Sequence, residues 1–168
     1  VKIFGGWSRG FPQKSLSIFS RSYYGPSTFD YTLFPDSGID SYEAFVLRNS
    51  GNDWEQTMLR DGFITSLTID LNIDHQQYRP AVLYLNGEFW GIQNIREKVN
   101  EHFLASHHLI SAENIDLLDN EGMNEWNVVH GTNTDYLNLI DYLENSDMED
   151  PNVQNALEQW IDIESYMS

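Results

Sequence analysis

Residues 81–92 read Ala81-Val82-Leu83-Tyr84-Leu85-Asn86-Gly87-Glu88-Phe89-Trp90-Gly91-Ile92. Two apolar runs rich in β-branched and aromatic residues flank Asn86-Gly87, a pair that readily takes positive φ at both central positions of a tight turn. The stretch therefore predicts an antiparallel β-hairpin, and the rest of the chain is read outward from it. Upstream, Phe45-Val46-Leu47 is strand-like and ends in the turn-forming Asn49-Ser50-Gly51-Asn52. Between the two, Met58, Leu59, Phe63, Ile64, Leu67 and Leu71 recur at spacings of three and four, predicting an amphipathic helix over 56–71 despite Gly62. Further back, Val1-Lys2-Ile3-Phe4 reads as a strand running into Gly5-Gly6, then a loop from Trp7 to Gln13, then a strand from Lys14 with Leu16 and Ile18 on one face. Residues 22–44, rich in Tyr, Ser, Pro, Asp and Gly without a sustained period, read as a long aromatic-studded loop insert.

Downstream of Glu97 a helix from about Val99 to His108 is predicted, with Val99, Phe103 and Leu104 as its buried stripe. Ile115-Asp116-Leu117-Leu118 reads as a strand. Tyr136, Leu137, Leu139, Ile140 and Leu143 form a helical face, followed by a solvated acidic link over 144–150. Asp150-Pro151 has the chemistry of an N-cap and first-turn proline, opening a helix that carries Val153, Leu157, Trp160 and Ile161. A further helix-like segment from Asp162 reaches only to Ser168, which reads as an element cut short. The fold class is α+β: residues 1–98 carry an antiparallel sheet with the insert 22–44, and 99–168 are a mainly helical continuation. Apolar helical faces around Leu137, Ile140, Leu157 and Trp160 would then be left uncovered, and self-association through them is expected.

Composition narrows the function. Forty per cent hydrophobic residues over 168 positions suffice for a buried core in one domain. A formal charge of −17 sets most of the surface against a nucleic-acid backbone, so DNA and RNA are not expected partners. No apolar run approaches the roughly 18 residues of a membrane span. With no cysteine, disulfides and thiolate metal sites are excluded.

The order strand, glycine turn, strand opening on Lys14, helix, hairpin, then Glu97 is that of a protein-kinase small lobe. Such chemistry needs a lysine on the phosphates, an acidic partner on the next helix and a backbone edge for adenine. Specific residues sharpen the pattern: Gly5-Gly6-Trp7-Ser8-Arg9-Gly10-Phe11-Pro12-Gln13-Lys14-Ser15, then Leu47-Arg48-Asn49, Leu59-Arg60-Asp61, Val82 to Gly91, and Arg96-Glu97-Lys98. In this order the chain resembles the CotH (spore coat protein H) kinase family from Val1 to about Asp119, most specifically in the Asn-Gly hairpin with its trailing glutamate.

The resemblance implies an atypical protein kinase that uses ATP with Mg or Mn to phosphorylate protein Ser or Thr, located in a spore coat or at a cell surface. It implies that Lys14 contacts the ATP phosphates, with Gly5, Gly6, Ser8 and Arg9 forming the phosphate-side loop. Asp61 is then the acidic partner of Lys14 and Glu97 contacts the adenine or ribose edge, or the two roles are exchanged. Asn100 stands where family members usually carry an aspartate. The family's asparagine-aspartate loop and later aspartate, which hold metal and the acceptor hydroxyl, fall beyond Ser168, so the chain by itself is expected to be inactive. No catalytic and no metal-binding residue is assigned within it.

Plainer readings exist for each residue. Gly5-Gly6 is a turn, Lys14 a solvated lysine, Asp61 a helix cap, and Glu97 a surface partner of Arg96 or Lys98. His102, His107 and His108 are not spaced to place metal ligands on one helical face and read as surface residues. Asp116, Asp119, Asn120 and Glu121 before Gly122 lack the alternate-position oxygens of a calcium loop. Trp7, Tyr23, Tyr24, Trp54 and Trp126 are predicted in loops, where they anchor the core or present stacking platforms. The rival function is accordingly a non-enzymatic surface module binding a polysaccharide or a partner protein.

Overall fold

The structure, a computed structural model, describes residues 1–122 and 125–167. In chain order the elements are β1 (Lys2–Phe4), β2 (Ser15–Phe19), β3 (Phe29–Asp30), β4 (Ser41–Tyr42), β5 (Ala44–Arg48), α1 (Arg60–Ser66), β6 (Tyr78–Leu85), β7 (Glu88–Glu97), α2 (Glu101–His108), β8 (Leu117–Gly122), β9 (Glu125–His130), α3 (Thr134–Asn145), α4 (Pro151–Leu157) and α5 (Ile163–Met167). The chain is α+β, and its main sheet has five antiparallel strands in the order β1-β2-β5-β7-β6. The β6–β7 turn forms as its residues dictate, with φ of 53° at Asn86 and 84° at Gly87. The edge strand β6 contains Pro80 and has a register shift between Leu83 and Tyr84, while the opposite edge is the three-residue β1.

Register and strand alternation sort the side chains onto two faces. Leu16, Leu47 and Ile95 lie opposite one another in successive strands, and so do Ser17, Val46 and Arg96 on the other face. The first face is covered by the insert 22–44, which contributes the buried Leu33, Phe34 and Tyr42, with Ile39, Phe45 and Ile95 packed against them. Arg79 fastens the insert by donating from Nη1 to the Leu33 carbonyl at 2.9 Å. What reads as a structureless loop thus supplies part of the apolar core, and its short β3–β4 pairing aligns Phe29 with Tyr42.

The second face is covered by α1, by a different route from the one its sequence period predicts. The helix runs only from Arg60 to Ser66 rather than over 56–71, and Leu59, Phe63, Ile64 and Leu67 remain exposed. Its inward side is Gly62, whose missing side chain admits the Tyr78 ring, together with Asp61 and Thr65, which receive the Arg96 guanidinium. A glycine and two polar groups outcompete the apolar stripe because the sheet offers a buried arginine there. The helix start is closed from upstream: Asp53 Oδ2 accepts from Leu59 N at 3.0 Å and Arg60 N at 3.1 Å, satisfying donors that the N-cap residue Leu59 leaves open.

Beyond the sheet, α2 is capped by Asn100, whose Oδ1 accepts from Phe103 N at 3.0 Å. The segment 99–168 contains an antiparallel β8–β9 hairpin among its helices. Trp126, expected in a loop, falls within β9, and Asp119 and Asn120, weighed above as a calcium loop, lie in β8. Asp150 caps α4 through Asn152 N with Pro151 in the first turn, but the helix ends at Leu157, leaving Trp160 and Ile161 outside it. Leu157 is buried, whereas Leu137 and Trp160 are exposed, so the uncovered face is smaller than expected. Ser168, on which the reading of a cut-short element rests, lies outside the described residues. Among the described residues no helix is long and apolar enough to cross a membrane.

Candidate functional site

At one end of the sheet the chain leaves β1 through Gly5, at φ 103°, and Gly6 into a single 3-10 turn, Trp7–Gly10. Added bulk at Gly5 would overlap the Ser8 hydroxyl, at 2.5 Å from an ideal Cβ. The turn returns to β2 at Lys14, whose Nζ donates to the Arg9 carbonyl at 2.7 Å. Gly5, Gly6, Ser8, Arg9 and Lys14 therefore lie in one closed loop. It is held from beneath by a polar network of unusual depth: Asn49 and Gln93 are both 0 % exposed. Asn49 accepts from Ser15 Oγ at 2.8 Å and from Gly51 N at 3.1 Å, and donates to the Gln13 carbonyl at 2.6 Å. Gln93 Nε2 donates to the Lys14 carbonyl at 3.2 Å, while its Oε1 has no partner among the described residues. Gln13 joins the Trp54 indole N–H to the Ile92 carbonyl. Above it Phe11 stacks on Trp54 at 4.9 Å between ring centroids, and Trp7, 80 % exposed, meets Phe11 edge-on at 5.2 Å.

The two carboxylates weighed as the partner of Lys14 are paired with other residues. Asp61 Oδ2 receives Arg96 Nη1 at 2.8 Å and lies 3.1 Å from Arg48 Nε, the latter without hydrogen-bond alignment, so Arg48 contributes charge rather than a bond. Burial holds the Arg96 pKa below its ordinary value and Asp61 opposes that shift. Glu97, placed at the surface or at an adenine edge by the sequence, is 3 % exposed. Its Oε2 accepts from Gln77 N at 3.0 Å and its Oε1 meets His107 Nε2 at 2.9 Å. His107 is thus no free surface residue, and His102 and His108 are also engaged, with Glu43 and Glu101 and with Asp74 respectively. Neither Asp61 nor Glu97 forms an ion pair with Lys14 among the described residues. The pairings escape sequence reading because they join residues 10 to 35 positions apart that no local period links.

At the opposite end of the sheet, where β2 ends and β7 emerges, lies a cavity of ≈ 620 Å³ lined by Phe19, Arg21, Ala44, Lys98 and Asn100, among others. Lys98 lies over two rings, with Nζ 5.7 Å from the Phe4 centroid and 5.9 Å from that of Phe19. Among the described residues no group of three or more His, Asp or Glu could hold a metal ion, so they offer no all-protein cage, whereas the divalent cation of a kinase is bound through one or two carboxylates and the substrate phosphates.

No curated protein and no solved structure gives a significant match to the chain. The family model described as CotH kinase protein matches residues 1–168, and the chain belongs to the CotH kinase family.

Proposed function

We propose that this chain supplies the nucleotide-binding part of a CotH-type atypical protein kinase, with the ATP phosphates received by the Gly5–Lys14 loop. The observation that carries the reading is the closure of Lys14 Nζ onto the Arg9 carbonyl, which gathers Ser8, Arg9 and Lys14 in a turn whose glycines leave backbone open to a ligand. The buried Asn49, through Ser15 and the Gln13 carbonyl, and the buried Gln93, through the Lys14 carbonyl, keep that turn in place, and the family membership supports the assignment. Lys14 and Arg9 would meet the phosphates, and Ser8 would donate from its hydroxyl. Asp61 acts through the arginines of the sheet, and Glu97 through His107, as positioning groups for the lobe. Mg or Mn would compensate the phosphate charge. Transfer to protein Ser or Thr, in a spore coat or at a cell surface, is the activity proposed for the kinase as a whole.

Calorimetric titration with Mg-ATP tests this. Lys14→Ala is expected to weaken binding about tenfold or more, as for loss of a charge-assisted contact. Unchanged affinity in Lys14→Ala, or no nucleotide binding by the kinase, would overturn the reading. A second reading, a module that stacks on sugars, is favoured by the exposed Trp7 and by the exposed, edge-on pair Tyr23 and Tyr24. It requires that Trp7→Ala lose binding to a polysaccharide while nucleotide has no effect.

A further inference from the structure

The chain has nine lysines and arginines against 26 acidic residues, so every cation has carboxylates available to it in abundance. Arg48 and Arg96 approach Asp61, and Arg60 approaches Asp53. Arg79 and Lys14 are bound to backbone carbonyls, and Arg9 lies in the Trp7–Gly10 turn. Lys2, Arg21 and Lys98 behave otherwise. All three converge on one ring, with the charged groups 5.8, 5.0 and 5.9 Å from the Phe19 centroid, and none forms an ion pair among the described residues. A third of the protein's cationic side chains thus meets at one ring without an ion pair among the described residues.

The spot opens on the ≈ 620 Å³ cavity, whose wall includes Arg21 and Lys98. Lys2 reaches the same ring because β1 pairs with β2 in the register Lys2↔Ser17, on the sheet face that Phe19 also occupies. The lining also includes Glu43 and Glu101, each with one carboxylate oxygen near the His102 ring, at 3.7 and 3.5 Å. Three like charges within about 6 Å of one ring centroid repel one another, and the ring's quadrupole offsets only part of that repulsion. A multivalent anion at the mouth of the cavity would relieve it.

We infer that Lys2, Arg21 and Lys98 form an anion site for a phosphate or diphosphate group, either free or carried by a nucleotide. The site is separate from the Lys14 loop: Lys14 and Phe19 lie at opposite ends of β2, roughly 17 Å apart along an extended strand. It therefore does not depend on the nucleotide reading of Lys14.

The experiment titrates the full chain with sodium pyrophosphate, ADP and adenosine at low ionic strength, by calorimetry and by amide shifts in NMR spectra. Pyrophosphate is expected to move the amides of Arg21, Lys98 and Asn100. Lys98→Gln and Arg21→Gln should each weaken it about tenfold. Binding should also fade as salt rises. ADP binding that follows the same variants identifies a nucleotide-borne phosphate, whereas pyrophosphate binding without ADP binding identifies a free one. Absence of pyrophosphate binding, shifts confined to residues 5–14, or affinity untouched in both Lys98→Gln and Arg21→Gln would overturn the inference. The wild-type shifts need no variant to fold. Failure of Mg-ATP binding at Lys14 would leave this result standing, so the two readings fail separately.

Discussion

Arg96 and Asp61 meet at 2.8 Å across the interface between β7 and α1, joining a nearly buried guanidinium to a carboxylate that keeps a quarter of its side chain in solvent. Arg48 adds a second positive charge at 3.1 Å from the same oxygen. Removing Asp61 would strand Arg96 in a low-dielectric space, so Asp61→Ala should cost about 3 kcal/mol or more in urea unfolding. Arg48→Ala, at the more exposed side of the cluster, should cost no more than about 1 kcal/mol. Equal losses for the two variants would show that Arg96 draws little from Asp61.

Gly62→Ala sets two effects against each other. Alanine in a helix interior gains about 1 kcal/mol over glycine. At this position its Cβ would lie 2.6 Å from the Tyr78 ring, with the ring's own Cγ at 2.8 Å, so the whole side chain has to move. Overpacking of this kind costs roughly 1–3 kcal/mol, and the overlap is expected to win. Thermal melts should show a lowered midpoint for Gly62→Ala, recovered in Gly62→Ala combined with Tyr78→Val. A midpoint raised by Gly62→Ala alone would mean that α1 does not approach β6 this closely.

Asp53 predicts a pH dependence. Hydrogen bonding from Thr57, followed by the backbone N–H of Arg60 and the Arg60 charge, holds its pKa below the usual carboxylate value. A depressed folded-state pKa means that the carboxylate stabilises the fold above its unfolded pKa, about 3.9. That contribution disappears as the pH falls through the lower folded value. Asp53→Asn should therefore unfold at lower urea than the wild type at pH 7, with the two curves converging under strongly acidic conditions. A gap that persists undiminished at acid pH would assign the role to shape rather than charge.

Asn49→Ala would remove the bonds to Ser15, Gln13 and Gly51 that hold the strand opening on Lys14. Leaving buried partners unsatisfied should cost about 1–3 kcal/mol. Amide exchange should accelerate first in residues 13–16, before β6 and β7 are affected. Uniform acceleration across the sheet would show that Asn49 supports the whole fold rather than this turn.

These sites differ in how far the sequence discloses them. Asn86-Gly87 is legible because two adjacent residues set the turn, and Asp150-Pro151 because a cap acts within its own helix. The stripe Leu59, Phe63, Ile64 and Leu67 misleads, since periodicity reports which residues share a face but not which face the sheet accepts. The contribution of Leu33, Phe34 and Tyr42 to the core is hidden because an irregular segment buries side chains without a period. Of the β8–β9 hairpin only the start of β8 is legible, in the strand read over 115–118, because Asp119, Asn120 and Glu121 break the alternation that marks a strand. Of the candidate site, the loop from Gly5 to Lys14 was legible as a local unit. The partners of Asp61 and Glu97 were not, because long-range geometry selects them.

Pro80 has a consequence for how copies of this chain can meet. A strand at a sheet margin presents unpaired amides to any passing extended chain, the usual first step towards fibrils. On β6 the proline has no amide hydrogen to offer, and the irregularity between Leu83 and Tyr84 breaks the repeat that an incoming strand would have to match. At the other margin β1 provides only three residues, too short a template for a stable ladder. Both borders therefore resist templated growth.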